Sequence, residues 1–203
     1  NETLKQLLFK RARLIGSAVN KIPKLRDLLT EAGIEDLHHT LVYSGDGTVG
    51  DESEKTRRQL EAITELMGNE LGLRIHQFTY EEDQAERERL LDEFETGVLQ
   101  ALVAIRCLDE GVDVPATRTA FILASSSNPR QFIQRRGRIL RTHPNKDHAT
   151  IHDFVVAPPT EIREAGEDSL FSLERNLVQK ELQRVSTFAE SARNHPDASI
   201  PGI

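Results

Sequence analysis

The sequence of 203 residues carries 26 Lys and Arg against 33 Asp and Glu, a net charge of −7, and 37% of its residues are hydrophobic. This length is enough for one good core, and the acidic balance excludes a protein that coats nucleic acid through general basicity. The single cysteine, Cys107, excludes a disulfide framework and a cysteine-based zinc site, so we expect a reducing, cytoplasmic environment, and no apolar run reaches the roughly 18 residues of a membrane span.

Apolar residues recur along the chain with alternating helical and strand periods. Helices are predicted over 3–15, 20–32, 53–71, 81–95, 131–141 and 170–192, and strands over 39–44, 73–78, 99–105, 119–124 and 149–156. Strands that alternate with helices predict an α/β fold with a mostly parallel central sheet. Ligands of such sheets bind at the carboxyl ends of the strands, where the loops 45–52, 79–82, 106–114 and 125–128 are expected to meet.

The helix predicted over 131–141, QFIQRRGRILR, lies in a stretch without acids from Val114 to Asn145. On a continuous helix Gln134, Arg138 and Arg141 share one face, and guanidiniums that converge there suit a polyphosphate. A solvated basic helix face is the alternative interpretation. The neighbouring face is predicted to pack on the sheet, with a glycine that allows close approach; it consists of Ile133, Gly137 and Leu140.

The loop CLDEGVDV, 107–114, gathers three carboxylates around Gly111, a residue that tolerates positive φ. A carboxylate beside such a turn, from Asp109, Glu110 or Asp113, can accept hydrogen bonds from a ribose diol. It can equally neutralise the arginines across the loop, and both interpretations stay open.

Four stretches together resemble the second RecA-like domain of superfamily 2 helicases and translocases. HTLVYSGDG is similar to motif IV, and ERERLLDEFETG to the segment before motif V. ALVAIRCLDEGVDVP resembles motif V, and QFIQRRGRILR resembles motif VI, QRxGRxxR. The resemblance covers about residues 36–156. It implies a three-layer RecA-like sandwich of the P-loop NTPase type, divided into an N-terminal helical lead-in (1–35), the RecA-like domain (36–160) and a C-terminal helical extension (161–203).

The resemblance implies an ATP site shared between two domains. Arg138 and Arg141 would reach across an interdomain cleft to the γ-phosphate, with Arg141 as the arginine finger, and Gln134 would help bind the triphosphate. Gly111 and Asp113 would lie near the nucleotide sugar. An arginine finger is worth roughly 10³ to 10⁵ in rate.

The resemblance also implies contacts to the backbone of DNA or RNA, from Ser44, Gly45, Ile105 and Arg106, while Arg135 would pair with acids inside the domain. Ile105 stands where relatives have Thr, so a hydroxyl-to-phosphate contact is lost there, and Arg106 is expected to substitute for it. Only two Tyr and no Trp offer stacking platforms, so the contacts are expected to carry no base specificity.

The sequence contains no GxxxxGK[ST] motif and no DEAD-type Mg²⁺ site. We therefore expect ATP and Mg²⁺ to be held by a missing N-terminal RecA-like domain, and this chain alone to neither hydrolyse ATP nor unwind. Asn1 in place of an initiator Met is typical of a fragment. The seven histidines show no ligand spacing, so no metal site is expected within the chain.

Two other functions are weighed against the motor. GDGTVG, 45–50, is a literal GxGxxG that would predict a dinucleotide-binding Rossmann domain. Asp51 and Glu52 would repel a pyrophosphate there, and the helix starts only near Ser53. A non-catalytic RecA-like interaction module built around residues 160–193 is the second alternative, which the two finger arginines disfavour.

Overall fold

The computed structural model describes residues 18, 20–44, 53–79, 81–105, 112–123, 129–156, 168–190 and 192–193. Its helices are α1 (Lys21–Ala32), α2 (Ser53–Thr64), α3 (Gln84–Glu95), α4 (Pro129–Ile139) and α5 (Asp168–Ala189). Its strands are β1 (Thr40–Ser44), β2 (Ile75–Phe78), β3 (Ala101–Ile105), β4 (Thr119–Ile122) and β5 (Thr150–Asp153). Each matches an element predicted from the sequence; the helix predicted over 3–15 lies outside the described residues.

The five strands form one parallel sheet in the order β2-β3-β1-β4-β5. The inner strands β1 and β3 run in register from Thr40 beside Ala101 to Ser44 beside Ile105. Every residue of both strands is buried, which explains the continuous apolar run at 99–105, since neither face of an inner parallel strand meets water. The predicted α/β fold with a parallel sheet is confirmed.

Helices cover both faces of the sheet because successive strands are added first towards one edge of the sheet and then towards the other. β1 leads through α2 to β2 at one edge, whereas the later connections all run towards the opposite edge. Right-handed crossovers then place α2 on one face and α3 and α4 on the other. The core accordingly has two layers: α1, α2 and the π-helical turn Glu65–Glu70 contribute Leu25, Leu29, Leu60, Ile63, Leu66 and Met67 to one, and α3 and α4 contribute Leu90, Phe94 and Ile139 to the other.

Helix boundaries follow from single residues at their ends. α3 begins at Gln84, three residues later than predicted, because the Asp83 side chain accepts a hydrogen bond from Glu86 N at 2.9 Å as its N-cap. α1 ends at Ala32 because Gly33 takes a φ of +83°, in the region that favours glycine.

Helix α4 corrects two predictions about its packing. Among the side chains of α4 that the structure describes, the buried apolar anchor is Ile139, at 0% exposure, whereas Ile133 and Leu140 are 43% and 44% exposed. The predicted close approach at Gly137 is also wrong for the described part of the chain, since none of its atoms lies within 4 Å of where a Cβ would stand. For Leu140 the cause is the position of the helix end. Because α4 stops at Ile139, the chain turns there and Leu140 no longer follows the helical face.

The chain divides into two units, residues 1–154 and 155–203. The first contains the sheet and α1 to α4, and α1 packs into its core through Leu25 and Leu29. The second contains α5, in which Arg184 and Glu181 form an ion pair at 2.9 Å one turn apart. Within the described residues, no helix is both long and apolar enough to cross a membrane.

Candidate functional site

The segment 112–118 carries Asp113 over the face of the sheet that α3 and α4 cover. Val114 and Ala116 are buried there, at 1% and 4% exposure, in the same apolar cluster as Ile139 of α4. These anchors fix the backbone that follows Asp113, while the Asp113 side chain itself keeps 31% of its surface exposed. The carboxylate is therefore held at the boundary between core and solvent.

The end of α4 brings two arginines to this carboxylate. Leu140 N still donates to Arg136 O at 2.9 Å, after which the chain leaves the helix. Arg138 thus lies in the last turn of α4, and Arg141 lies two residues beyond Ile139. The prediction that Arg141 continues one helical face with Gln134 and Arg138 is wrong. Both guanidiniums nevertheless converge, through the turn of the chain.

Asp113 forms ion pairs with both arginines. Its Oδ2 lies 2.8 Å from a terminal nitrogen of Arg141, and its Oδ1 lies 3.6 Å from a terminal nitrogen of Arg138. Among the described residues Oδ1 is buried and has no hydrogen-bond partner, since 3.6 Å is an ion-pair distance only. Exposure rises outward, from 22% for Arg138 to 59% for Arg141. We call these three residues the Arg–Asp cluster.

The Arg–Asp cluster carries a net charge of +1, from two guanidiniums and one carboxylate. Guanidinium groups stay charged at any physiological pH and bind phosphate oxygens in a bidentate manner. Arg141 offers more than half of its side chain to solvent, so an anion can reach it without rearrangement of the core. The donor set therefore fits a polyphosphate. Of the two interpretations of Asp113 that the sequence leaves open, the structure shows the pairing with arginines.

Arg138 and Arg141 lie at the C-terminal end of α4, whereas β4 precedes the N-terminal end of this helix in the chain. A crossover helix returns from the carboxyl end of one strand towards the amino end of the next, so the exit of α4 is remote from the carboxyl edge of the sheet. The sequence predicts a site at that edge. The structure places Asp113, Arg138 and Arg141 instead on the α3–α4 face of the sheet, beside Val114 and Ile139.

The other predicted nucleotide contacts are distributed differently. Gln134 is exposed on α4, one turn before Arg138. Gly111 lies outside the described residues, as does the side chain of Arg135.

The residues predicted to face nucleic acid lie at the carboxyl ends of the two inner strands. Ser44 and Ile105 are register partners there, and their side chains are buried, at 0% and 8% exposure. Ser44 Oγ lies 3.5 Å from Oε1 of Gln59. Gly45 and Arg106, which follow these strands directly, lie outside the described residues.

The sequence did not reveal the position of Lys146. In the sequence it is only one of several basic residues in this region, and no pattern distinguishes it from the others. Its Nζ donates to Pro115 O and to Ile139 O, both at 2.7 Å. The side chain is half-buried, and this burial lowers the pKa of Lys146 from its usual value of 10.5.

The turn that carries Lys146 is tied to its neighbours. Lys146 N donates to His143 O at 3.0 Å, and His143 Nε2 lies 3.2 Å from Glu95 Oε1 at the end of α3. Arg118 donates to Asn145 O at 3.0 Å. No group of three or more His, Cys, Asp or Glu able to hold a metal ion occurs in the part of the chain that the structure describes.

Comparison with known proteins gives a consistent set of relatives. The model of the family described as helicase conserved C-terminal domain matches residues 24–143. The DNA 3'-5' translocase XPB2 of Sulfurisphaera tokodaii is 34% identical over 122 residues, which cover 60% of this chain and 24% of that protein. The UvrABC system protein B of Thermobifida fusca is 28% identical over 168 residues, which cover 76% of this chain and 23% of that protein.

A solved structure shows the same fold. The C-terminal part of the Fun30 ATPase domain matches with a TM-score of 0.53 at 14% identity, covering 83% of this chain and 55% of that one. The chain spans about a quarter of the length of these two curated relatives.

Proposed function

The chain belongs to the family of helicase conserved C-terminal domains, and we propose that it is the second motor domain of an ATP-dependent superfamily 2 helicase or translocase. In this proposal its task is to deliver Arg138 and Arg141 to the γ-phosphate of an ATP molecule bound by another domain. The remaining parts of the ATP site, including the ligands of Mg²⁺, come from the longer protein. Alone, the 203-residue chain hydrolyses no ATP.

The observation that carries the proposal is the Arg–Asp cluster. Two guanidiniums that converge within 4 Å of one carboxylate are already close enough together to share a single phosphoryl group. Charge on the transferring phosphoryl spreads over its equatorial oxygens, and arginines that meet it stabilise the transition state. Arg141, the more exposed of the two, is suited to the outer position of a finger.

In this mechanism Asp113 is the ion-pair partner of the two arginines in the absence of nucleotide. While no phosphate is present, its carboxylate neutralises part of their charge and keeps both side chains near one place. An incoming triphosphate competes with a single carboxylate whose Oδ1 is poorly satisfied, so release of the guanidiniums costs little. Asp113 is then free for another hydrogen bond, for which the nucleotide sugar is our candidate. Gln134 and Gly111 complete the nucleotide contacts in the proposal.

Nucleic acid is proposed to bind at the carboxyl ends of β1 and β3. Because Ser44 and Ile105 have buried side chains, they contribute by positioning the loops that follow them, with Gly45 and Arg106 as the direct contacts to backbone phosphates. The name of the XPB2 relative specifies DNA, which favours DNA over RNA as the substrate here.

The test is ATP hydrolysis by the full-length protein, with and without DNA or RNA, for wild type, Arg138→Ala and Arg141→Ala. We expect nucleic acid to stimulate hydrolysis, DNA more than RNA, and Arg141→Ala to reduce kcat by roughly 10³-fold or more. Nucleotide binding should largely survive.

The matched control is Arg89→Ala. Arg89 is an arginine of similar exposure, 49%, that is also paired with carboxylates, those of Glu86 and Glu93 on α3. Its loss should leave hydrolysis unchanged. Equal hydrolysis by wild type and Arg141→Ala would overturn the proposal and favour the non-catalytic module.

A further inference from the structure

Lys146 connects the two backbone segments that carry the Arg–Asp cluster. Pro115 O belongs to the segment 112–118, two residues after Asp113, and Ile139 O belongs to the last residue of α4, two residues before Arg141. Both carbonyls accept from the same ammonium group at 2.7 Å. One charged head therefore fixes the distance between the acid-bearing segment and the arginine-bearing helix end.

The chemistry of both acceptors favours a cation. The last carbonyls of a helix have no partner within it and carry the negative end of the helix dipole, so a lysine there satisfies an otherwise open acceptor. Pro115 O is presented by an irregular segment, whose carbonyls also need partners when they are covered. A charged donor makes stronger hydrogen bonds than a neutral one.

Lys146 reaches this position from a turn that is itself held in place. The turn 143–146 is closed by Lys146 N and His143 O, and it is tied to α3 through Glu95 and to the start of β4 through Arg118. The ammonium is thus delivered from a fixed platform. A flexible surface lysine, in contrast, pays the full entropy of ordering its four-carbon stem.

We propose that Lys146 is a positioning residue of the motor, which sets the exit of α4 against segment 112–118 and thereby the placement of Arg138 and Arg141. It touches neither nucleotide nor nucleic acid in this proposal and acts through the arginines. The inference rests on the proposed function, because placement matters only if the arginines meet a phosphoryl group.

The experiment measures binding of ADP and of ADP–aluminium fluoride, both with Mg²⁺ and DNA, to the full-length protein. Aluminium fluoride occupies the place of the transferring phosphoryl group, so only this complex reports on the arginines. We expect Lys146→Met, which keeps the apolar stem and removes both hydrogen bonds, to weaken ADP–aluminium fluoride binding about tenfold or more, since misplacement by 1 Å can cost 10²-fold. The affinity for ADP should stay within about twofold of wild type. ADP lacks the group that the arginines contact, so a loss confined to ADP–aluminium fluoride identifies an interaction made only in the transition state.

Lys21→Met is the matched control. Lys21 is also a buried lysine that donates to a backbone carbonyl, that of Leu123, and it lies on the opposite face of the sheet in α1. Its loss should affect both ligands equally. If Lys146→Met also weakens both ligands equally, Lys146 is a structural residue and the inference is overturned. If Lys146→Met does not fold, Lys146→Arg is measured in its place. We expect this variant to lose an intermediate amount of affinity for ADP–aluminium fluoride and none for ADP. An equal loss of affinity for both ligands would overturn the inference.

A double-mutant cycle with Arg141→Ala separates this inference from the proposed function. If Lys146 acts through Arg141, the two losses in ADP–aluminium fluoride affinity combine to much less than their product. Full multiplication of the losses overturns the inference. If Arg141→Ala alone leaves ADP–aluminium fluoride binding unchanged, the proposed function itself fails, whatever Lys146→Met does.

Discussion

Replacement of Asp113 by Asn tests whether one carboxylate holds both guanidiniums while phosphate is absent. Asn keeps the shape and one acceptor oxygen but removes the charge that faces Arg141 at 2.8 Å and Arg138 at 3.6 Å. We expect two effects: a small loss of stability, and a larger stabilisation by added polyphosphate than in wild type, because the guanidiniums no longer have an internal anion.

The size of the loss follows from distance and exposure. In a water-like dielectric, unit charges at these two separations attract by about 1.5 and about 1.2 kcal/mol. Arg141 is 59% exposed, so solvent screening and the ordering of its side chain offset most of its share, whereas Arg138 at 22% keeps more. We expect Asp113→Asn to lower the free energy of unfolding by about 1 kcal/mol, or Tm by about 2–4 °C.

The assay is thermal unfolding of the 203-residue chain, with and without inorganic tripolyphosphate. Salt raised from about 0.1 to about 1 M shortens the Debye length from about 10 to about 3 Å, so the deficit of Asp113→Asn should shrink. Asp92→Asn, on the exposed side of α3, is the control and should show neither effect. A deficit that salt leaves unchanged, or equal stabilisation of mutant and wild type by tripolyphosphate, would refute the reasoning.

Two further predictions concern the domain that carries the cluster. Burial lowers the pKa of His152 below its usual 6.5, and Glu31 opposes the shift. The unfolded chain therefore binds more protons between the lowered value and 6.5, and stability should rise with pH through that window. Urea unfolding at several pH values measures this rise in stability. The variant His152→Gln should show a smaller rise, and an unaltered pH profile in that variant would contradict the prediction. Gly137→Ala should raise the free energy of unfolding by about 0.5–1 kcal/mol, since no atom of the described residues lies within 4 Å of the added methyl group; a destabilised variant in the same assay would contradict this.

The fold was predictable because its signals are local and repeated. Continuous apolar runs mark β3 and β4 as buried parallel strands, and they alternate with amphipathic helices such as α3. The π-helical turn Glu65–Glu70 was not predictable in the same way. Leu66 and Met67 face the core in either geometry, so the apolar pattern over six residues does not distinguish a π turn from an α turn.

The candidate site was predictable in its residues but not in its geometry. Arg138 and Arg141 were selected by their type and spacing and Asp113 by the family resemblance, and the three do lie together. Their arrangement depends on where α4 ends, and that end depends on the burial of Ile139 and on a lysine from the following turn. Such tertiary contacts join residues that no local sequence pattern relates, so a helical projection of the sequence cannot predict them.

The end of α4 also explains how the cluster can change without substitution of either arginine. Arg138 belongs to the helix and follows its axis, whereas Arg141 belongs to the turn after it, so the separation of the two guanidiniums is set by the exit of the chain. That exit is fixed by Ile139 within the core and by Lys146 from outside the helix. A docking domain or a nucleotide that moves the turn 143–146 would therefore displace Arg141 relative to Arg138. Arg141 would then respond to contacts made several residues away from it.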